Sequence, residues 1–182
     1  LHLCDRRQRQ MCIRDSDKNT VISSSLSTLP VIINKAAYCN LKSGIPSNSQ
    51  LISNRAGWII NVEEGVEGAP NNLIDGKTGT DVALNNKGFW FTVDLGEAKV
   101  LTGIKTNHWA NAYAPREVEI LQSENGTTWK SLSSLAISPG GTQNITFISP
   151  ITTRYLKYQI ITISTNGRTD VTEFNVYEPK SE

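Results

Sequence analysis

From residue 51 onward, short runs rich in Val, Ile, Thr, Tyr and Phe alternate with clusters of turn-forming residues, the pattern of a chain built from strands. Phe91, Val93 and Leu95 alternate with Trp90, Thr92 and Asp94. Val118 and Ile120 alternate with Glu117, Glu119 and Leu121, and Ile145 and Phe147 with Asn144 and Thr146. Leu156, Tyr158 and Ile160 share a face opposite Lys157 and Gln159, and Phe174 shares one with Val176. Successive side chains of a strand point to opposite faces, so a period of two with one apolar face predicts two sheets packed into a sandwich. Asn125-Gly126 and Pro139-Gly140-Gly141 fall between such runs as turns. Helical signal is confined to a single predicted turn at Pro70-Asn71-Asn72-Leu73-Ile74. A β domain of about 130 residues buries enough surface to stand without disulfides.

Upstream the pattern breaks. Residues 17–50 are rich in Ser, Thr and Asn, with one apolar run, Leu29-Pro30-Val31-Ile32-Ile33, that reads as a strand, and loop chemistry at 42–48. The stretch is too short to bury a core. It is expected either as the last strand of a truncated upstream domain plus a linker, or as a partly disordered terminus. Residues 1–16, LHLCDRRQRQMCIRDS, differ again, with four Arg, no Gly, no Pro and no apolar periodicity. They back-translate without a gap into a common transposase sequencing adapter and its flanking primer. The segment resembles translated adapter and is excluded from fold reasoning, as a fusion scar would be.

Without residues 1–16 the formal charge is −1 rather than +1, Cys39 is the sole cysteine, and no Met remains. The expectation is a piece of a longer, 5′-truncated reading frame, with its main domain at 51–179. A near-neutral charge leaves no basic footprint for nucleic acid. No apolar run approaches the roughly 20 residues that cross a bilayer, so no transmembrane segment is expected.

Seven phrases follow one another along residues 51–178. They are Asn72-Leu73-Ile74-Asp75-Gly76-Lys77-Thr78-Gly79-Thr80; Phe89-Trp90-Phe91-Thr92-Val93-Asp94-Leu95-Gly96; Val100-Leu101-Thr102-Gly103-Ile104; Pro115-Arg116-Glu117-Val118-Glu119-Ile120; Ser123-Glu124-Asn125-Gly126-Thr127-Thr128-Trp129; Thr153-Arg154-Tyr155-Leu156-Lys157; and Val171-Thr172-Glu173-Phe174-Asn175-Val176-Tyr177. In this order they resemble the coagulation factor 5/8 type C, or discoidin, family and its bacterial branch, the family-32 carbohydrate-binding modules. The resemblance implies an all-β, eight-stranded jelly-roll sandwich of galactose-binding-like type. Read physically, Trp90 is expected in the core and Trp129 across a hairpin. Asp94 is expected to bond local backbone at a strand end, and Arg154 to pair with a carboxylate such as Asp94.

The resemblance also implies a structural calcium ion. Asp75 and Glu173 would give carboxylates, Thr80 hydroxyl and carbonyl oxygens, and Asn72 and Lys77 carbonyls. Ca2+ takes six to eight oxygens, many from backbone, at about 2.3–2.6 Å. The family often has Asp or Asn where this chain has Lys77. The plainer alternative is an Asp-Gly turn without metal.

A ligand surface is expected on loops at one end of the sandwich. Residues 107–113 place Asn107, His108, Trp109, Asn111 and Tyr113 in one loop. Sugars present apolar C–H faces rimmed by hydroxyls, which rings cover and amide, imidazole or guanidinium groups bond. Residues 164–170, with Asn166 and Arg168, form a second polar loop, and 81–87 a third wall. The family often carries an aromatic soon after the Thr80 position, where this chain has Asp81-Val82.

The function these features favour is a non-catalytic module that binds a galactose-type or related glycan. It would target an attached glycoside hydrolase or surface glycan-capture protein to that glycan. The setting would be extracellular or the bacterial cell surface, and the upstream domain of the same polypeptide a partner. An adhesion or membrane-surface module of discoidin type is the alternative, but the 107–113 loop carries no Lys or Arg. Catalysis is disfavoured. One His and no Cys lie within 51–179, with no phosphate loop or zinc spacing, and the Asp75–Glu173 pair is implied for metal.

Overall fold

The computed structural model describes residues 38–137 and 140–181. The chain divides into Leu1–Ala36 and Ala37–Glu182. The first unit, with residues 1–16 and the run at 29–33, lies outside the described residues, as does Pro139.

Ten strands are described: β1 Cys39–Lys42, β2 Ser49–Leu51, β3 Ile59–Val62, β4 Val82–Asn85, β5 Trp90–Asn107, β6 Glu117–Ser123, β7 Lys130–Ala136, β8 Thr142–Thr162, β9 Arg168–Val171 and β10 Glu173–Pro179. The expected helical turn is a 3-10 turn at Pro70–Leu73. The all-β sandwich predicted from the alternation is the observed architecture, with every strand pair antiparallel. Two long strands, β5 and β8, serve both layers. Their mutual pairing shifts register between Asp94 and Lys99 and again between Leu101 and Gly103. Before the first shift, β5 pairs with β3, while the matching half of β8 pairs with β6, which pairs with β7. After it, β5 pairs with β10, which pairs with β2, and the other half of β8 pairs with β1. The layers are thus β3-β5-β8-β6-β7 and β2-β10-β5-β8-β1, joined by strands that switch sheets at a bend.

An ion pair sits at that bend. Asp94 Oδ1 accepts the Gly96 N–H at 2.8 Å, and Gly96 turns the chain with φ +81°. Arg154 donates to both Asp94 oxygens at 2.8 and 2.9 Å, the pairing expected from the sequence. The Arg154 guanidinium, with help from the Gly96 N–H, holds the Asp94 carboxyl below its usual range.

The alternating positions fill the core. Phe91, Val93, Leu95, Val118, Ile120, Ile145, Phe147, Leu156, Tyr158, Ile160, Phe174 and Val176 are buried. Rings from the two layers meet at the centre, with Phe91 stacked on Tyr158 at 5.2 Å and edge-on to Phe174 at 5.0 Å. Trp90 corrects an expectation. It is half-buried rather than core, because the alternation that turns Phe91 inward turns Trp90 outward, where the Lys157 ammonium lies 4.8 Å from its ring. Trp129, beside the β6–β7 turn, is also half-buried.

The domain also begins earlier than residue 51. β1 pairs with β8 and β2 with β10, so residues 39–42 and 49–51 are strands of this sandwich rather than the tail of another domain. β1 closes one side. Its Cys39 N–H donates to Ser133 Oγ on β7, and the Tyr38 N–H donates to the Leu132 carbonyl. Burial pushes the Cys39 thiol up to about 11, so it is a packing group rather than a reactive thiolate. No helix among the described residues is long and apolar enough to cross a membrane.

Candidate functional site

A small two-stranded ribbon builds the site. β4 pairs with β9 so that Asn85 lies opposite Arg168 and Ala83 opposite Asp170. Glu67 joins its edge through two backbone bonds with Ala83, at 2.8 and 3.1 Å. Just before β4, Asp81 is fixed from two sides. Asn72 Nδ2 donates to its carbonyl at 2.8 Å, and Gly68 packs so closely that a Cβ would stand 2.0 Å from the same oxygen. With φ +88° as well, position 68 accepts only glycine without strain.

The 107–113 loop faces this ribbon. Trp109 donates its backbone N–H to Asp170 Oδ1 at 3.2 Å, and the residue is 59% exposed. Asp170 in turn donates its N–H to the Tyr113 carbonyl at 3.3 Å. Asp81, Trp109, Tyr113, Arg168 and Asp170 together line a recess of about 240 Å³. Arg168 donates to Asp81 Oδ2 at 2.9 Å and lies 3.6 Å from both Asp170 Oδ2 and Glu67 Oε2. The Asp170 side chain is fully buried, and its Oδ2 has no hydrogen bond.

Of the six ligand residues expected from the sequence, Trp109, Tyr113 and Arg168 line the recess, and the other three do not. His108 is interior. Its Nδ1–H donates to the Asp170 carbonyl at 2.6 Å, and its Nε2 lies 3.2 Å from Thr106 Oγ1. Both ring nitrogens are thus engaged in holding the loop on β9. Asn107 is a β5 residue whose Nδ2 donates to Thr142 Oγ1 at 3.1 Å. Asn166 closes its own turn, accepting from Ser164 Oγ and the Arg168 N–H, both at 2.9 Å. Asp81 and Asp170 sit within the stretches flagged as walls, but not as named ligand residues. Glu67 carried no signal.

A larger recess of about 340 Å³ lies by the β6–β7 turn, lined by Gln122, Ser123, Glu124, Asn125, Thr128 and Lys130. It presents no aromatic ring, and so no platform for an apolar sugar face.

The expected metal set gathers on the 72–80 loop. Asp75 Oδ2 accepts from Thr80 Oγ1 at 2.8 Å and Asp75 Oδ1 from the Lys77 N–H at 2.8 Å, while Thr80 Oγ1 lies 3.4 Å from the Lys77 carbonyl. Buried Glu173 accepts the Gly76 N–H, tying β10 to this loop. The Asn72 side chain instead serves Asp81, which leaves only its carbonyl for an ion. Among the described residues no group of three or more His, Cys, Asp and Glu could hold a metal. The donors here are two carboxylates, a hydroxyl and backbone carbonyls, an all-oxygen set of the hard kind that suits Ca2+. Arg55 is the unforeseen neighbour. It donates to the Ile74 carbonyl at 3.0 Å, pairs with Glu173 at 3.4 Å and bonds Asn175 Oδ1.

The model of the F5/8 type C domain family matches residues 53–174. The chain belongs to that family. No curated protein matches it. Among solved structures, the family-32 carbohydrate-binding module of Clostridium perfringens NanJ, in complex with galactose, is 22% identical. That likeness covers 71% of this chain and 99% of that one, with a TM-score of 0.59. An F5/8 type C domain from Bacteroides fragilis is 19% identical over 75% of this chain and all of that one, with a TM-score of 0.62. The family-32 module of AlyQ, in complex with 4,5-unsaturated mannuronic acid, is 22% identical over 65% of this chain and 92% of that one, with a TM-score of 0.55. At these identities the likeness establishes the jelly-roll sandwich fold.

Proposed function

We propose that this F5/8 type C domain is a non-catalytic carbohydrate-binding module. The observation that carries the reading is an exposed Trp109 ring beside Tyr113, at the mouth of a recess whose polar walls are Arg168, Asp81 and Asp170. A pyranose needs a platform for its C–H face and directional partners for its hydroxyls, and this recess offers both. NanJ's galactose and AlyQ's mannuronic acid support the class of ligand. His108, buried with both ring nitrogens engaged, is not available to act as a general base.

The module would act outside the cell or at a bacterial surface, holding an attached glycoside hydrolase or capture protein at its glycan. The gain is effective concentration rather than high affinity per site. Retention on a glycan array tests this, with liposome pelleting alongside. Binding to vesicles but to no glycan would overturn the reading.

We also propose a structural calcium ion held by Asp75, Glu173, Thr80 and the carbonyls of Lys77 and Asn72. The ion would neutralise Asp75, share Glu173 with Arg55, and lock the 72–80 loop to β10. An ion bound only by the folded state raises stability, by about 2.7 kcal/mol at a hundred times its Kd. Tm is therefore expected to fall on adding chelator and recover with excess Ca2+. Equal values throughout would exclude the ion.

A further inference from the structure

The charges around the recess do not balance. Asp81 and Asp170 line it and Glu67 stands at its edge, against a single guanidinium, that of Arg168. Among the other cations of these loops, Arg116 donates to Thr165 Oγ1 and Lys87 pairs with Glu63, and neither lines the recess. Of the groups packed beneath, the His108 Nδ1 lies 3.7 Å from Asp170 Oδ1, but it already donates to the Asp170 carbonyl.

Two consequences follow. Arg168 donates to Asp81 at 2.9 Å and has carboxylate oxygens of Asp170 and Glu67 each 3.6 Å away, so an incoming carboxylate would meet a guanidinium already surrounded by three like charges. And Asp170 Oδ2, 3.6 Å from Arg168 Nη1, is a buried carboxylate oxygen without a hydrogen bond, in a residue that lines the recess. Leaving such an oxygen unmet is costly, and a ligand N–H or O–H satisfies it. A cationic donor does so with charge assistance, and the aromatic residues Trp109 and Tyr113 line the same recess.

We infer that the recess ranks saccharides by charge: a sugar bearing a free ammonium binds above its neutral counterpart, and the neutral sugar above one bearing a carboxylate. Asp81, Asp170 and Glu67 are the residues that set this order. The inference rests on the proposed saccharide reading of the recess and narrows it to a ligand class, amino sugars that are not N-acetylated.

The test is an NMR titration of the full chain with galactosamine, galactose and galacturonic acid, and with the matching gluco series, at low and high salt. In at least one series the amino sugar should bind about tenfold more tightly than the neutral sugar, and the uronic acid about tenfold more weakly or not at all. Both gaps should shrink at about 0.5 M salt, where exposed charges are screened. Glu67→Gln, at an exposed edge position, should narrow the ratio of ammonium to carboxylate affinities roughly threefold. Equal affinities across a series, a uronic acid that binds best, or an order indifferent to both salt and Glu67→Gln would overturn the charge ranking while leaving a saccharide site in place. Absence of shifts at Trp109 and Tyr113 with every sugar would remove the saccharide reading itself, and the ranking with it.

Discussion

Replacing Trp109 by alanine isolates the stacking contribution. Trp109 as a whole is 59% exposed in the free domain. A tryptophan side chain offers about 250 Å², so roughly 150 Å² remains to meet a ligand. A pyranose stacked on one face would cover about half of that, roughly 75 Å². At about 25 cal/mol per Å² this is worth about 2 kcal/mol, a Kd roughly 20- to 30-fold weaker. The fold should barely register the change. The tie from position 109 to Asp170 runs through the backbone N–H, which alanine keeps, and exposed substitutions cost within about 0.5 kcal/mol. Calorimetric titration with the glycan the domain retains best gives the affinity, and a thermal melt gives the control. A variant with the parent's melt and an affinity within twofold would refute the stacking argument.

Two further outcomes follow from the fold. Asp94 has a carboxyl held below its usual value of about 3.8 by Arg154. The stability this lends is fully present above that value and is lost as pH falls through the lower, folded-state value. Asp94→Asn should therefore lower Tm at pH 7, modestly because Arg154 is well exposed, and parent and variant should converge in an acid series; a gap undiminished at pH 2 would contradict the charge account. Gly68→Ala would place a Cβ 2.0 Å from the Asp81 carbonyl at a left-handed backbone position. It should cost more than about 1 kcal/mol in a urea melt and also weaken glycan binding by moving Asp81; parent-like behaviour in both would show that this contact yields freely.

The legible part of the fold was what period two can carry. Phe91, Val93 and Leu95, or Leu156, Tyr158 and Ile160, declare a buried face within a few residues, and tertiary packing obeys them. β1 and β2 escaped because Cys39–Lys42 and Ser49–Leu51 each hold too few apolar positions to show a period. Their strand character comes from the partners they meet about a hundred residues later. The site divides the same way. Trp109 and Tyr113 stood out as exposed-loop aromatics. The environment of Arg168 depends on Asp81, 87 positions away, and no local pattern encodes that approach. His108 misled for a related reason: imidazole suits both ligand and scaffold, and only the Asp170 carbonyl and Thr106 hydroxyl decide between them.

The bend at Asp94 has a consequence for how the molecule comes apart. Because β5 and β8 thread through both layers, neither layer owns a complete set of its own strands, and neither can melt while leaving the other whole. Amide exchange across the sandwich should accordingly share one opening free energy, with only the β4–β9 ribbon and the loops around it free to open sooner. The end that holds the proposed site can thus open locally while the body of the domain unfolds only as one cooperative block.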